Sequence, residues 1–157
     1  MSDANDVMLR LSGITHLTLG KSEVVVFAAH FRSKSNDDPV RRLAEARATH
    51  DIMKATGDAN KAALVVLGGD LNDTPGSEPL EALETDGALL RVASDLPEPE
   101  QGTYRFQGVD QAIDHILVTK NHKDAYVAKS AKVARDTGKS GFAGSDHASL
   151  WADFKLP

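Results

Sequence analysis

A continuous apolar run, AALVVL at residues 62–67, passes directly into the polar sequence GGDLND at residues 68–73. An apolar run without polar alternation is typical of a strand that is covered on both faces of a sheet. Polar side chains that follow such a strand are held at the edge of the sheet, where the sites of α/β proteins gather. The stretch therefore predicts a buried strand that delivers Asp70 and Asn72 to a site.

On the N-terminal side, the sequence predicts two strands and a long helix. The strands run from Ile14 to Leu19 and from Val24 to Ala29, and Gly20-Lys21 forms a hairpin turn between them. The helix is expected to begin at Asp38-Pro39, because aspartate caps free N–H groups and proline fits the first helical position. Gly57 is the expected stop. The apolar face of the helix is assigned to Val40, Leu43, Ala44, Ala48, Ile52 and Met53.

On the C-terminal side, Ser77 is expected to cap a short helix through Leu83, and residues 93–102 are interpreted as a surface loop. The predicted strands are Ala88 to Val92, Ile113 to Val118, Ala125 to Val133 and Leu150 to Phe154. Trp151 and Phe154 are assigned to the core. Strands alternating with helices predict a layered α/β fold, and the length suits a single domain over residues 1–157.

The composition narrows the class of protein. Apolar residues make up 41% and charged residues 26%, as in soluble globular proteins, and no apolar run is long enough to span a bilayer. Residues 1–6 are acidic and polar, unlike a signal peptide. The absence of cysteine excludes disulfides and thiolate sites, and it fits a cytoplasmic location. The net charge of −5 favours a small phosphate ester over duplex DNA as the substrate, although a local basic groove for nucleic acid stays open.

Titratable residues recur where the predicted strands begin or end. His30 follows one strand, Asp114 opens another, and Asp146-His147 precedes the last one. Asp and Asn oxygens suit Mg²⁺ or Mn²⁺, and a histidine beside a carboxylate takes a proton from water near neutral pH. Together they predict a metal-dependent site that hydrolyses phosphate esters.

Each motif alone also fits a simpler interpretation. Residues 70–73 and 145–147 suit turns, and His30 suits a hydrogen-bonded core histidine. Asp114 is harder to explain in this way, because a buried carboxylate without a partner is costly. The basic residues Arg32, Lys34, Arg41 and Arg42 fit either a phosphate-binding patch or a solvated loop and helix face. His16, His50 and His122 are assigned no role, and Tyr104, Arg105 and Phe106 fit either substrate contacts or an exposed strand.

Five short motifs in order resemble a known family. They are His30-Phe31-Arg32-Ser33-Lys34, Gly69-Asp70-Leu71-Asn72-Asp73, Thr103-Tyr104-Arg105-Phe106, Ile113-Asp114-His115-Ile116-Leu117 and Ser145-Asp146-His147. Over residues 7–157 the chain resembles the C-terminal half of the endonuclease/exonuclease/phosphatase superfamily, whose members include deoxyribonuclease I-like enzymes. The resemblance implies a mixed, mostly antiparallel sheet with helices on one face, like one half of the family's four-layer sandwich.

The resemblance also implies a role for each matching residue. Asp146 would hold a Mg²⁺ or Mn²⁺ ion, while Asp70 and Asn72 would position the attacking water and contact the phosphate or a second metal. His147 and Asp114 would act as an oriented pair, and His30 would contact the scissile phosphate. Arg32, Lys34 and Tyr104 would bind the substrate.

The chain departs from the family because the N-terminal half, with its asparagine and its metal-binding glutamate, has no counterpart here. A single sheet would expose the face that packs on the other sheet, so the resemblance implies a homodimer or a missing N-terminal half. Two further functions follow from the departure. The chain is then a catalytically silent module for binding or self-association, or a protein whose strand-end carboxylates serve another small ligand.

Overall fold

A computed structural model describes residues 11–156, so the prediction for residues 1–6 concerns a part of the chain outside this range. The strands of the main sheet are β1 (Leu11–Leu19), β2 (Ser22–His30), β3 (Ala63–Asp70), β4 (Leu89–Arg91) and β7 (Asp114–Thr119). Two small sheets pair β5 (Tyr104–Phe106) with β6 (Val109–Gln111) and β8 (Lys132–Ala134) with β9 (Ser149–Trp151). The helices are α1 (Pro39–Ala59) and α2 (Glu78–Glu84).

The main sheet has the strand order β1-β2-β3-β7-β4. β2 and β3 are parallel and are connected by α1, whereas the other neighbouring strands are antiparallel. The predicted class, a mixed and mostly antiparallel sheet with helices, is therefore confirmed. The hairpin predicted at Gly20-Lys21 is also present, because Leu19 pairs with Ser22 across it.

One face of the sheet carries the helices and the larger core. Odd-numbered residues of β2, β3 and β7, such as Phe27, Leu67 and Leu117, point to this face, since side chains alternate along a strand. They pack against Ala46 and Met53 of α1 and against residues of α2. Among residues 11–156, no helix is both long and apolar enough to cross a bilayer.

The opposite face of the sheet is covered only in part. Val24, Leu64 and Val118 are buried there beneath the segments 92–96, 125–131 and 150–154. Beyond this cover, Leu17 and Leu19 of the edge strand β1 are 42% and 50% exposed. We refer to this face below as the second face.

The long helix differs from its prediction in two respects. Asp38 caps α1 as expected, accepting a hydrogen bond from the Arg41 N–H at 2.9 Å. The helix does not end at Gly57 but continues to Ala59, with Asn60 as its C-cap. Gly57 lies on the buried face of the helix, against Thr119. The predicted apolar face was wrong at Val40, which is exposed. The buried face is instead rich in polar residues, namely Arg42, Glu45, Thr49 and His50.

Three further predictions fail in the C-terminal part. Residues 125–133 do not form one strand, because a short 3₁₀ helix ends at Ala125, Tyr126 makes only an isolated bridge with Phe154, and the strand that forms is Lys132–Ala134. Trp151 is 56% exposed, so it is not a core residue, whereas Phe154 is half-buried against Tyr126. Residues 93–102 contain two 3₁₀ turns, and Gln101 is buried rather than part of a surface loop.

Ser77 occupies the N-cap of α2, but its buried hydroxyl makes no hydrogen bond within residues 11–156.

A close approach between β2 and β3 requires glycine at position 69. A Cβ atom built on Gly69 would lie 1.9 Å from the carbonyl oxygen of Ala29, so any side chain would push the strands apart. The neighbouring Gly68 has no heavy atom within 4 Å of such a Cβ. Although they are adjacent in sequence, only the second glycine is sterically required.

We expect Gly69→Ala to reduce the free energy of unfolding by at least about 2 kcal/mol, because the clash falls on backbone atoms that cannot move freely. Urea denaturation measures the change. Gly68→Ala is the matched control and should shift the free energy by less than about 1 kcal/mol. Equal effects of the two substitutions would contradict this account of the β2–β3 contact.

Candidate active site

Three strands bring their site residues into one row. In the register of the sheet, His30 of β2 pairs with Asp70 of β3, and Asp70 pairs in turn with Asp114 of β7. Because paired residues project to the same side of a sheet, all three side chains lie on the second face, opposite the helices. The His30 Nε2 and Asp70 Oδ2 atoms are 3.6 Å apart.

His147 joins this row from outside the main sheet. Its Nδ1 atom lies 2.8 Å from Asp114 Oδ2, and its ring packs against that of Tyr104 with centroids 4.9 Å apart. Thr103, which is buried, links Asp114 of β7 to the segment that carries His147. Thr103 accepts the backbone N–H of Asp114 at its Oγ1 atom, and its carbonyl accepts the N–H of Ala148.

The loop after β3 fixes the orientation of Asp70. Asp70 Oδ1 accepts the backbone N–H of Asn72 at 2.8 Å, which closes an aspartate turn. Asn72 adopts a left-handed conformation with φ of 52°, and its side-chain amide donates to the carbonyl of Phe31 at 3.1 Å. The turn therefore ties β3 to the loop after β2 and leaves Asp70 Oδ2 facing the row.

The charges in the row shift the pKa values of two members. Burial raises the pKa of Asp70 above its ordinary value, and the Asp114 carboxylate raises it further against the opposing Asn72 hydrogen bond. Burial alone would lower the pKa of His147, but the hydrogen bond and negative charge of Asp114 raise it overall. The Asp114–His147 pair thus favours a protonated imidazole beside a carboxylate.

His30, Asp70, Asn72 and His147 line one cavity with a volume of about 540 Å³, whereas Asp114 is not among the residues of its wall. The cavity contains most of the predicted site residues: His30, Lys34, Asp70, Asn72, Tyr104, Asp146 and His147. Within residues 11–156, Asp70, Asp114 and His147 form a group whose ligand atoms all lie within 4.8 Å of one another, close enough for a metal site. Asp146 is exposed at the cavity wall and is not part of that group.

Arg32 is the predicted substrate-binding residue that does not line the cavity. Its backbone N–H donates to Glu45 Oε2 at 2.7 Å, which anchors the loop after β2 to α1. Arg42, one of the residues considered for a basic surface patch, is buried and does not contribute to such a patch. His50 and His122, which were assigned no role, are buried and hydrogen-bonded to backbone carbonyls of Leu83 and Lys61.

An ionic cluster built on the buried pair Asp73 and Arg42 supports the cavity from the helix side. Asp73 accepts hydrogen bonds from Lys34 Nζ at 2.7 Å and from Arg42 Nε at 2.8 Å. Arg42 also contacts the carbonyl of Arg32 and the carboxylate of Asp37. Because Lys34 lines the cavity, this cluster fixes the position of a cation at its wall.

The geometry agrees with the comparisons with known proteins. The model of the endonuclease/exonuclease/phosphatase family matches residues 6–147. The chain belongs to this family. No curated protein sequence shows significant similarity to the chain.

Solved structures of the family share the fold at low sequence identity. Single-stranded-DNA-product-bound TDP2 from D. rerio is 17% identical with a TM-score of 0.65, and 90% of this chain covers 60% of it. The human Nocturnin catalytic domain with bound sulfate is 18% identical with a TM-score of 0.65, and 92% of this chain covers 51% of it. The mannosyl-6-phosphatase of Bacteroides thetaiotaomicron is 18% identical with a TM-score of 0.57, and 88% of this chain covers 52% of it. The chain therefore spans between about half and three-fifths of these structures, as expected for one half of the family fold.

The residues that position the site were hard to predict from sequence. Thr103 was visible only as part of a family motif, and nothing in the spacing marked it as the link between Asp114 and the His147 segment. Asp73 and Arg42 looked like a turn residue and a helix-surface residue, because their pairing joins positions 31 residues apart. The cavity walls Ser33, Ser35 and Gln111 carried no signal of their own.

The pKa of Asp73 predicts how acid weakens the ionic cluster. Burial raises this pKa, but the hydrogen bonds from Lys34 and Arg42 lower it overall to below the ordinary value of 3.8. A carboxyl whose pKa is lower in the folded state stabilises the fold above its unfolded pKa, and that contribution is lost as the pH falls through the folded pKa. The stability difference between wild type and Asp73→Asn should therefore be largest near neutral pH and shrink below about pH 4.

Urea denaturation across this pH range measures the difference. Asp51→Asn, at an exposed position of α1, is the control and should change stability little at any pH. A gap between wild type and Asp73→Asn that stays constant from about pH 6 to about pH 3 would contradict the assignment.

Proposed function

We propose that the chain is a divalent-metal-dependent phosphoesterase that hydrolyses a small phosphate ester by direct attack of water. The observation that carries the proposal is that His30, Asp70 and His147 line one cavity, while Asp114 pairs with Asp70 in the sheet and is hydrogen-bonded to His147. An acid–base pair, a second carboxylate and a further imidazole can together support phosphate-ester hydrolysis at a divalent metal ion.

The Asp114–His147 pair would move the proton. The hydrogen bond at Nδ1 orients the imidazole, which lines the cavity and makes no Nε2 hydrogen bond with any of residues 11–156. The raised pKa of His147 keeps a proton available near neutral pH, so the ring can stabilise negative charge on the phosphate or protonate the leaving oxygen. The adjacent Tyr104 ring limits the rotation of His147.

The remaining donors around the cavity fit a hard divalent cation. Asp70 and Asp146 supply carboxylate oxygens and Asn72 supplies an amide oxygen, the ligand types that Mg²⁺ and Mn²⁺ prefer. When bound, the ion would polarise the phosphoryl oxygen and stabilise the leaving group. His30 and Lys34 would donate hydrogen bonds to the substrate phosphate.

The substrate class follows from the charge and from the relatives. The family neighbours include a protein bound to a single-stranded DNA product, one bound to sulfate and one named a mannosyl-6-phosphatase. All three descriptions involve a phosphate group or an anion of similar shape. The net charge of −5 favours a small ester over long nucleic acid, for which an extended basic surface is needed.

A catalytically silent binding module is the second candidate. It is favoured by one observation, namely that the chain spans only about half to three-fifths of the structures it matches. The family's N-terminal asparagine and glutamate have no counterpart in the sequence. The two candidates differ in one measurable property, which is metal-dependent turnover.

The phosphoesterase proposal predicts turnover of a nitrophenyl phosphodiester or phosphomonoester in Mg²⁺ or Mn²⁺ that EDTA abolishes. Asp70→Ala and His147→Ala should each lower the rate by a factor of about 10² to 10⁴, because each removes a group that acts on the reacting phosphate. Matched controls are Asp51→Ala and His16→Ala, which change exposed residues away from the cavity and should retain the rate. Activity that survives both site substitutions would indicate a contaminant, and no activity in either metal would favour the binding module.

We further propose that the second face is covered by another copy of the chain. Leu17 and Leu19 are exposed on this face, and Val26, Val66 and Ile116 are only half-buried there. An apolar surface of this kind beside a catalytic row is typical of an interface. A two-fold dimer would place two sheets face to face, as in a β-sandwich.

Light scattering should then report a dimer, and Leu17→Lys should convert it to a monomer by burying a charge in the interface. The matched control is Ile14→Lys, because Ile14 is equally exposed but pairs with Phe27 and therefore projects to the helix side of the sheet. A wild-type chain that stays monomeric at high concentration would contradict the dimer, as would equal effects of the two lysines.

A further inference from the structure

Arg91 is a buried cation that forms no ion pair with the described residues 11–156. It is the last residue of β4 and is 7% exposed. Its guanidinium makes one side-chain hydrogen bond within this range, from Nη1 to the neutral Gln101 Oε1 at 2.8 Å, and its buried Nε has no partner there. The Glu84 carboxylate acts on the guanidinium electrostatically but accepts its hydrogen bond from the Arg91 backbone. Since arginine stays protonated in proteins, the fold holds out of water a positive charge whose hydrogen-bonded partner is a neutral amide.

Hydrogen bonds hold the residues around Arg91 in place. Gln101 is fixed in turn, because its side-chain amide donates to the carbonyl of Leu96 at 2.7 Å. Glu84 uses its Oε1 atom to accept the Arg91 backbone N–H at 3.4 Å. The nearby His115 is held neutral, since burial lowers its pKa to about 4, so it adds no second positive charge near pH 7.

Arg91 lines a second cavity, with a volume of about 540 Å³, that no step of the proposed hydrolysis uses. We call it the Arg91 cavity. Its walls come from the loop after β3, the segment before β5, and β6, and they include Thr74, Gln101, Gly102, Gln111 and Ala112. The β5–β6 hairpin separates it from the catalytic cavity, and Gln111 lines both.

The acidic residues of the same wall do not neutralise Arg91. Asp110 is already held by Arg105 at 2.8 and 2.9 Å, and more weakly by Arg135 at 3.5 Å. Glu98 lines the cavity from an exposed turn and forms no ion pair with Arg91. The cavity therefore offers a desolvated positive charge to a group that enters from solvent.

We propose that the Arg91 cavity binds an oxyanion group, a phosphate or a carboxylate, as a site separate from the catalytic cavity. A planar guanidinium recognises both kinds of group through charge-assisted hydrogen bonds, and the low exposure of Arg91 strengthens them. The amide of Gln101 sets the orientation of the guanidinium. This site does not depend on the proposed hydrolytic activity, because it requires only the charge and shape of the cavity.

Inorganic phosphate and acetate are the probes, titrated into the ¹⁵N-labelled chain at constant ionic strength with chloride as the reference anion. The backbone amide signals of Gly102 and Ala112 should shift and saturate with one of the two anions, and the tighter-binding anion identifies the ligand class. Arg91→Met should weaken the binding by about tenfold or more, and Arg91→Lys should restore part of it. Glu98→Gln should tighten the binding, since it removes a negative charge from the wall.

His147→Ala is the control for the catalytic cavity, and it should leave the Gly102 and Ala112 response unchanged. This separates the two sites, because failure of the hydrolytic proposal would not alter the response at these amides. If neither anion shifts these signals in the wild type up to about 20 mM, the proposal is wrong whether or not Arg91→Met folds. An Arg91→Met chain that folds and responds like the wild type would also overturn it.

Discussion

The register of three neighbouring strands is the constraint on which the site depends. His30, Asp70 and Asp114 occupy one transverse row because β2 pairs with β3 in parallel and β3 pairs with β7 in antiparallel fashion. A slip of one residue in any strand would turn its site residue toward the helices, since side chains alternate between faces. The close contact between Gly69 and the Ala29 carbonyl lies one position before the row.

The charged residues on the two sides of the sheet differ in burial and in pairing. On the helix side, Asp73 and Arg42 form a buried pair that holds the loop after β2 and the loop after β3 together. On the second face, Asp70, Asp114 and His147 are half-buried, and Asp70 and His147 line the cavity. A paired charge stabilises a loop, whereas an accessible one can act on a ligand. The separation of the two sets by the sheet lets a rigid framework support a reactive site.

Local rules accounted for the parts of the fold that depend on neighbouring residues. The hairpin at Gly20-Lys21, the cap at Asp38 and the buried strand before Asp70 were predictable, because turns, caps and apolar runs follow from adjacent positions. His30, Asp70 and Asp114 were also predicted to lie at strand ends, and the register of β2, β3 and β7 places them in one row.

The errors arose where long-range packing decides the outcome. Gly57 looked like a helix stop, but its missing side chain makes room for Thr119, a residue 62 positions away. Hydrophobic periodicity does not reveal the polar buried face of α1, because Arg42 and Glu45 are buried there with partners in distant loops. The sequence does not mark Arg91, at the end of a short apolar strand, as a site residue. Only the folded chain shows that its charge is enclosed without an ion pair among residues 11–156.

We propose that the row of strand residues and His147 form a single site for a divalent cation and a phosphate group. Titration of the ¹⁵N-labelled chain with Mn²⁺ tests this proposal, because the paramagnetic ion broadens the amide signals that lie near it. Substoichiometric Mn²⁺ should selectively broaden the signals of His30, Asp70, Asn72, Asp114 and His147. Selective broadening at another surface, with these signals unchanged, would contradict it.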